Sequence, residues 1–249
     1  MRLLHKLLLA CIPLATLAAC GGGDTEDRLD VADPAVRFVH AAPIASNLTL
    51  YRGTAAQPDA TATAYGFASD YFDVDMGTAD WSVKTSSGAV SIGGVNIDPS
   101  RGTKYTVVAL TTSATTNGVS LIVDPYNKPL TSDSTHLRLM NASFNAASVD
   151  LYLNTPGTDI ATVSPRIAAT AFNTAGPVSG SDSVDIPGGT YQVTVTSAGT
   201  KTVLFRGELS FANNKDMLLL TVPDNLLPNS IKLRVKVQGT PGSTEVAAI

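Results

Sequence analysis

One strand of this chain is written twice. Val36-Arg37-Phe38-Val39-His40-Ala41-Ala42 matches Leu137-Arg138-Leu139-Met140-Asn141-Ala142-Ser143 without a gap. The same register carries Leu48-Thr49-Leu50-Tyr51 onto Val149-Asp150-Leu151-Tyr152, a constant offset of 101 (37 to 138, 51 to 152). Further on, Val74-Asp75-Met76 and Trp81-Ser82-Val83 match Val184-Asp185-Ile186 and Tyr191-Gln192-Val193 at an offset of 110, so the second copy carries extra residues between. Near each end, Lys104–Leu110 parallels Lys215–Thr221. Segments repeated in one order imply a duplicated unit. The length of 249 residues suits two domains of about 100 residues each.

The unit is built of strands. Val36–His40, Leu48–Tyr51, Phe72–Met76, Trp81–Thr85 and Tyr105–Leu110 alternate apolar with polar residues in the first copy. Leu137–Met140, Val149–Leu153, Tyr191–Thr196, Met217–Val222 and Ile231–Val237 do so in the second. Period-two alternation punctuated by Gly, Pro, Asn and Asp every ten or so residues predicts sandwiches or barrels. Ile160–Phe172 is Ala-rich enough for a helical turn, but Pro165 interrupts it. The expected class is all-β.

Composition narrows the function. With 44% hydrophobic and 15% charged residues the chain can build cores. A formal charge of −4, without a basic run, gives no footprint for nucleic acid. Both cysteines, Cys11 and Cys20, lie in the first twenty residues, so residues 21–249 hold no disulfide, Cys-based metal site or cysteine nucleophile.

The N-terminus carries an address. Arg2 and Lys6 precede an apolar run, Leu7 to Leu17, that is too short to span a bilayer as a permanent helix and fits a secretory signal. Leu17-Ala18-Ala19-Cys20 resembles the lipobox of bacterial lipoproteins, which implies cleavage before Cys20, lipidation of its thiol and membrane partnership through that anchor. Gly21 stands where an aspartate often marks inner-membrane retention, so the resemblance implies the outer membrane of a Gram-negative cell envelope. Gly21 to Asp27 has no apolar periodicity and reads as a flexible tether.

The duplicated strands carry a second resemblance. The pattern (V/L)-R-(F/L)-(V/M)-(H/N)-A-(A/S), a short loop and (L/V)-(T/D)-L-Tyr is similar to the domain of unknown function DUF4397, and the later V-D-(M/I), turn, aromatic-x-Val segment agrees with it. The resemblance implies two tandem Ig-like or transthyretin-like antiparallel β-sandwiches in an envelope protein, with no known catalysis. The expected divisions are a signal at 1–19, lipidated cysteine and tether at 20–35, sandwiches at 36–126 and 135–238, and a tail at 239–249.

No catalytic or metal constellation emerges. Asp73-Val74-Asp75-Met76-Gly77 could begin a calcium loop, but Gly77 and Lys84 stand where the fifth and twelfth ligands belong. His40 and His136 are the histidines outside the signal, and no G-x-S-x-G accompanies them; Ser179-Gly180-Ser181 reads as loop. His40 matches Asn141, the mark of a polar strand end bonding locally. Arg37 with Arg138, and Tyr51 with Tyr152, fit either a site repeated in each domain or an exposed structural pairing, and the structural pairing is the expectation. The expected function is a non-enzymatic envelope lipoprotein displaying two modules for binding or support, without cofactors, its partner an envelope protein or glycan. The alternatives are an adhesin or glycan-binding protein, and a hydrolase with a site on the loop Thr155–Ser183.

Overall fold

The structure is a computed structural model that describes residues 33–125 and 132–249. The first copy contains β1 (Ala35–Ala41), β2 (Leu48–Arg52), β3 (Ala55–Ala56), β4 (Phe72–Asp73), β5 (Ala79–Thr85), β6 (Ser91–Ile97), β7 (Thr103–Thr111) and β8 (Asn117–Pro125). The second contains β9 (Ser134–Asn141), β10 (Ser148–Asn154), β11 (Ile167–Ala171), β12 (Ala175–Gly176), β13 (Val184–Pro187), β14 (Gly189–Ser197), β15 (Val203–Phe211), β16 (Asp216–Pro223), β17 (Ile231–Val237) and β18 (Thr244–Glu245). Apart from two short 3₁₀ turns, Pro58–Ala60 and Ile160–Thr162, the regular structure of the described residues is β.

Four sheets form two groups. Sheets β4-β1-β7-β8 and β3-β2-β5-β6 belong to the first copy; β13/β12-β9-β16-β17-β18 and β11-β10-β14-β15 repeat that order in the second. Each pair encloses its own apolar core. Val36, Phe38, Leu48, Leu50, Trp81, Val83 and Val107 fill the first, and Leu137, Leu139, Val149, Leu151, Val193, Val195 and Leu219 the second. Strand alternation places Val36, Phe38, Leu50 and their partners inward.

One expectation is corrected. One sheet of each copy is mixed rather than antiparallel, because β1 pairs with β7, and β9 with β16, in parallel, while β3-β2-β5-β6 and β11-β10-β14-β15 are antiparallel throughout. Parallel strands are characteristically covered on both faces, and all seven residues of β1 are buried.

The ladders also refine the repeat. Leu50 faces Val83 while Leu151 faces Val195, so the later strands are offset by 112, not 110, and Trp81 falls on Val193 rather than on Tyr191. Ala68 pairs with Val39 and Ala175 with Met140, an intermediate offset of 107. The second copy therefore gains six residues before Ala175 and five between Ala175 and Val184. Ile160–Thr162, β11 and β12 all fall in Thr155–Ser183, so that stretch is extra length only in part. Residues 239–249 add β18 and seat Val246 in the second core.

Candidate functional site

The outer face of β1 points away from the first core, and there it meets the second copy. Val39, Ala41, Ala68, Val108 and Leu110 pack with Met140, Ala142, Ala175, Leu220 and Val222 in one buried cluster. By the ladder registers these are the same five positions of the two repeats, so the sandwiches join through equivalent faces. Ile122 and Leu218 complete the seam.

Polar groups border this apolar centre, and Arg138 is the most heavily engaged. Only 4% of its side chain is exposed, and its guanidinium reaches Asp124 on β8 of the first copy at 3.0 Å. It also donates to the carbonyls of Pro177 at 2.6 Å, Val178 at 3.2 Å and Ser181. Those acceptors lie in the five-residue insertion. The same loop docks on β8, where Val123 N–H donates to Ser179 Oγ, Gly180 N–H to Val123 O, and Ser183 Oγ to Asp124. The planar fork of arginine suits this several-fold recognition.

Arg37, the repeat partner, is buried by different means. Its guanidinium lies 4.5 Å from the centre of the Tyr71 ring and donates to Thr106 Oγ1 at 3.0 Å. Burial pushes the Tyr71 phenol above its ordinary pKa, against the pull of Arg37. Both arginines are thus structural, but neither is on an exposed face, because each sandwich covers the other.

A second ion pair crosses the seam. Lys236 on β17 is fully buried and sits 2.8 Å from Asp70, whose side chain is 47% exposed. The ammonium also donates to Thr240 O, and Asp70 accepts from Gly239 N–H at 3.0 Å. Burial lowers the Lys236 pKa, with Asp70 opposing. Burial raises that of Asp70, but the hydrogen bonds from Lys236 and Gly239 outweigh it and the net shift is downward.

The remaining candidates have local roles. His40 is buried; its Nε2 faces Ser46 O at 3.2 Å and its Nδ1 accepts from Ala42 N–H at 3.4 Å. Burial depresses its pKa below 6.5. Asn141 fills the equivalent place, donating to Ala146 O at 2.9 Å and accepting from Ser143 N–H. Tyr51 and Tyr152 each carry a lysine over the ring, Lys84 at 4.7 Å and Lys201 at 4.4 Å. Asp73 and Asp75 line an open cleft of about 440 Å³ with Asp33, Arg52 and Arg101. Arg52 approaches Asp75 at 3.7 Å, so the cleft is mixed in sign. Cys11 and Cys20 lie outside the described residues.

Sequence reasoning missed Lys236, Asp70 and Asp124. Lys232, Arg234 and Lys236 alternate with apolar residues like any wet strand face. The repeat held the signal: Lys236 occupies the place of Ile122 on β8, since each faces the central strand opposite Leu218 or Thr106.

No curated protein sequence matches the chain. Among solved structures, the fimbrial anchor protein Mfa2 from Porphyromonas gingivalis aligns over 85% of this chain and 99% of its own, at 10% identity and a TM-score of 0.24, a likeness too slight to carry an argument. Residues 34–152, which span the first sandwich and β9 and β10 of the second, match the family model described as "Domain of unknown function (DUF4397)".

Proposed function

We propose that this chain is a lipid-anchored envelope protein whose two DUF4397-type sandwiches, Ig-like or transthyretin-like in kind, act as one rigid module for binding or structural support rather than catalysis. The observation that carries the reading is the seam: an apolar centre bordered by Arg138–Asp124 and Lys236–Asp70. Domains merely strung on a chain need no such covering, and relative motion is their ordinary state. Within Thr155–Ser183, where a hydrolytic site was considered, Ser179 and Ser183 are engaged with β8. Anchoring rests on the lipobox pattern ending at Cys20, and the outer membrane on Gly21 after it.

The test has two arms. Cys20→Ser is expected to abolish incorporation of labelled palmitate and to change fractionation of the protein with the envelope. Unchanged labelling removes the anchor from the reading. Limited proteolysis of the purified protein is expected to leave one resistant fragment spanning both sandwiches, and early cleavage into two halves would refute the rigid module.

A further inference from the structure

The loops of both copies divide between two ends of the molecule. β1 leaves its start at Ala35 and ends at Ala41, so 42–47, 86–90 and 112–116 share the far end. Loops 142–147, 198–202 and 224–230 hold the matching places in the second copy. The copies point the same way. Arg138, near the start of β9, meets Asp124, whose strand neighbour Lys104 faces Ala35. Towards the other end Ser120, level with Val39 through Val108, meets Asn173, which bonds Asn141.

The ends differ in chemistry. Near the start of β1 and β9 stand Asp33, Asp73, Asp75, Arg101, Asp133 and Asp185. The six far loops carry two charges, Lys201 and Asp224. Lys201 turns back to donate to Tyr152 Oη at 3.1 Å and Val163 O at 2.7 Å. Asp224 pairs with Lys232 at 3.4 Å. The rest is Ser, Thr, Asn, Gly, Ala, Pro and apolar residues. Of the eight large hydrophobic residues exposed among the described ones, Ile44, Val90, Val203, Leu226 and Leu227 lie in or beside these loops.

Leu226 and Leu227, 65% and 66% exposed, form the tip of the β16–β17 hairpin. The loop holds them out on a frame of its own hydrogen bonds. Asn145 Nδ2 is shared among the carbonyls of Asn225 at 2.6 Å, Leu227 at 2.9 Å and Ser230 at 3.0 Å. Leu227 N–H donates to Asn225 Oδ1, Asn229 N–H to Asn145 O and Asp224 N–H to Ser230 O, and Pro228 has no N–H to satisfy. Backbone groups that enter an apolar phase must carry their partners with them. An exposed apolar cluster with a small polar surround marks an interaction surface.

We propose that this far end, led by Leu226 and Leu227, docks into the interfacial layer of a neutral, zwitterionic lipid bilayer. Charge selects the occupant. The loops hold one ammonium, Lys201, turned back onto neutral acceptors, and one carboxylate, Asp224, paired with Lys232, so they offer no cluster of cations for anionic headgroups and no unpaired carboxylate for a basic protein. An exposed leucine pair on an internally bonded hairpin tip suits shallow insertion.

The test uses the full chain with Cys11→Ser and Cys20→Ser, carrying a polarity-sensitive fluorophore on Leu227→Cys or on Met76→Cys at the opposite end. With phosphatidylcholine vesicles the label at 227 is expected to shift to the blue and to be quenched by nitroxide-bearing lipid. The label at 76 is expected to be quenched several-fold less, and Leu226→Ser is expected to weaken the response at 227 several-fold. A label at 227 that stays aqueous, equal responses at both sites, or a shift confined to anionic vesicles overturns the proposal. A shift that grows with protein concentration without lipid assigns the tip to a second copy and overturns it too.

Discussion

Removing Asp70 should harm this protein more than removing Lys236, although the two form one ion pair. Lys236 is fully buried and Asp70 is 47% exposed. Asp70→Ala leaves an ammonium in the seam with Thr240 O as its remaining hydrogen-bond acceptor. Stripping the partner from a buried charge costs about 3–5 kcal/mol. Screening of the half-exposed carboxylate reduces this to about 2–3 kcal/mol. At ~2–4 °C per kcal/mol for a chain of this size, the melting temperature should fall by about 5–10 °C. Lys236→Met removes the buried cation and leaves Asp70 hydrated and still bonded to Gly239 N–H, so its effect should stay within about 1 kcal/mol of zero. Urea unfolding at neutral pH, followed by Trp81 fluorescence and by circular dichroism, measures both. The pH dependence gives a second check. The folded Lys236 pKa lies below its ordinary value, so between the two values the unfolded chain binds more protons and stability rises with pH. Asp70→Ala lowers the folded value further and should steepen that rise towards alkaline pH. A harmless Asp70→Ala beside a costly Lys236→Met would refute the reasoning.

Other consequences are as direct. His40 has a folded pKa below 6.5, so stability should fall as pH drops through about 6.5 towards the folded value; His40→Asn, the second copy's residue, should remove that slope in pH-dependent melting. Arg138→Met strands Asp124 and the carbonyls of Pro177, Val178 and Ser181, and should cost about 3–5 kcal/mol while opening 177–183 to protease. Leu220→Ala should cost about 2–5 kcal/mol in urea unfolding by cavity formation in the seam. Millimolar calcium should leave the melting temperature unchanged from that in chelator, since Arg52 already approaches Asp75.

The strands that were legible in sequence are those with an apolar residue at every second place. β1, β2, β5, β7 and their repeats fall where Val36, Leu50, Val83 and Val107 put them. β6, Ser91–Ile97, escaped because Gly93 and Gly94 break the alternation. β8 and β15 escaped because they are edge strands on which polar and apolar residues mix. The expected Phe72–Met76 shrinks to Phe72–Asp73, beyond which Val74 N–H bonds Pro34 O and the chain turns at Gly77 with φ 108°. The seam was the least legible part. Val39 and Ala41 look like ordinary outer-face residues until the second copy covers them, and no local pattern distinguishes the buried Lys236 from exposed Lys232.

The meeting of equivalent faces also limits how many units can join through this surface. A repeat that stacks into a filament or solenoid must offer two different surfaces, one to each neighbour. Here Val39, Ala41, Val108 and Leu110 are used against their own counterparts, as in an isologous dimer, and isologous contacts close at two. The second copy then seals its β15–β17 corner with its last residues, Ala248 bridging Gly207 and Ile249 N–H donating to Arg206 O. A third sandwich appended to this chain would find no vacant counterpart of that face. Further units joined through this same face would have to come in pairs.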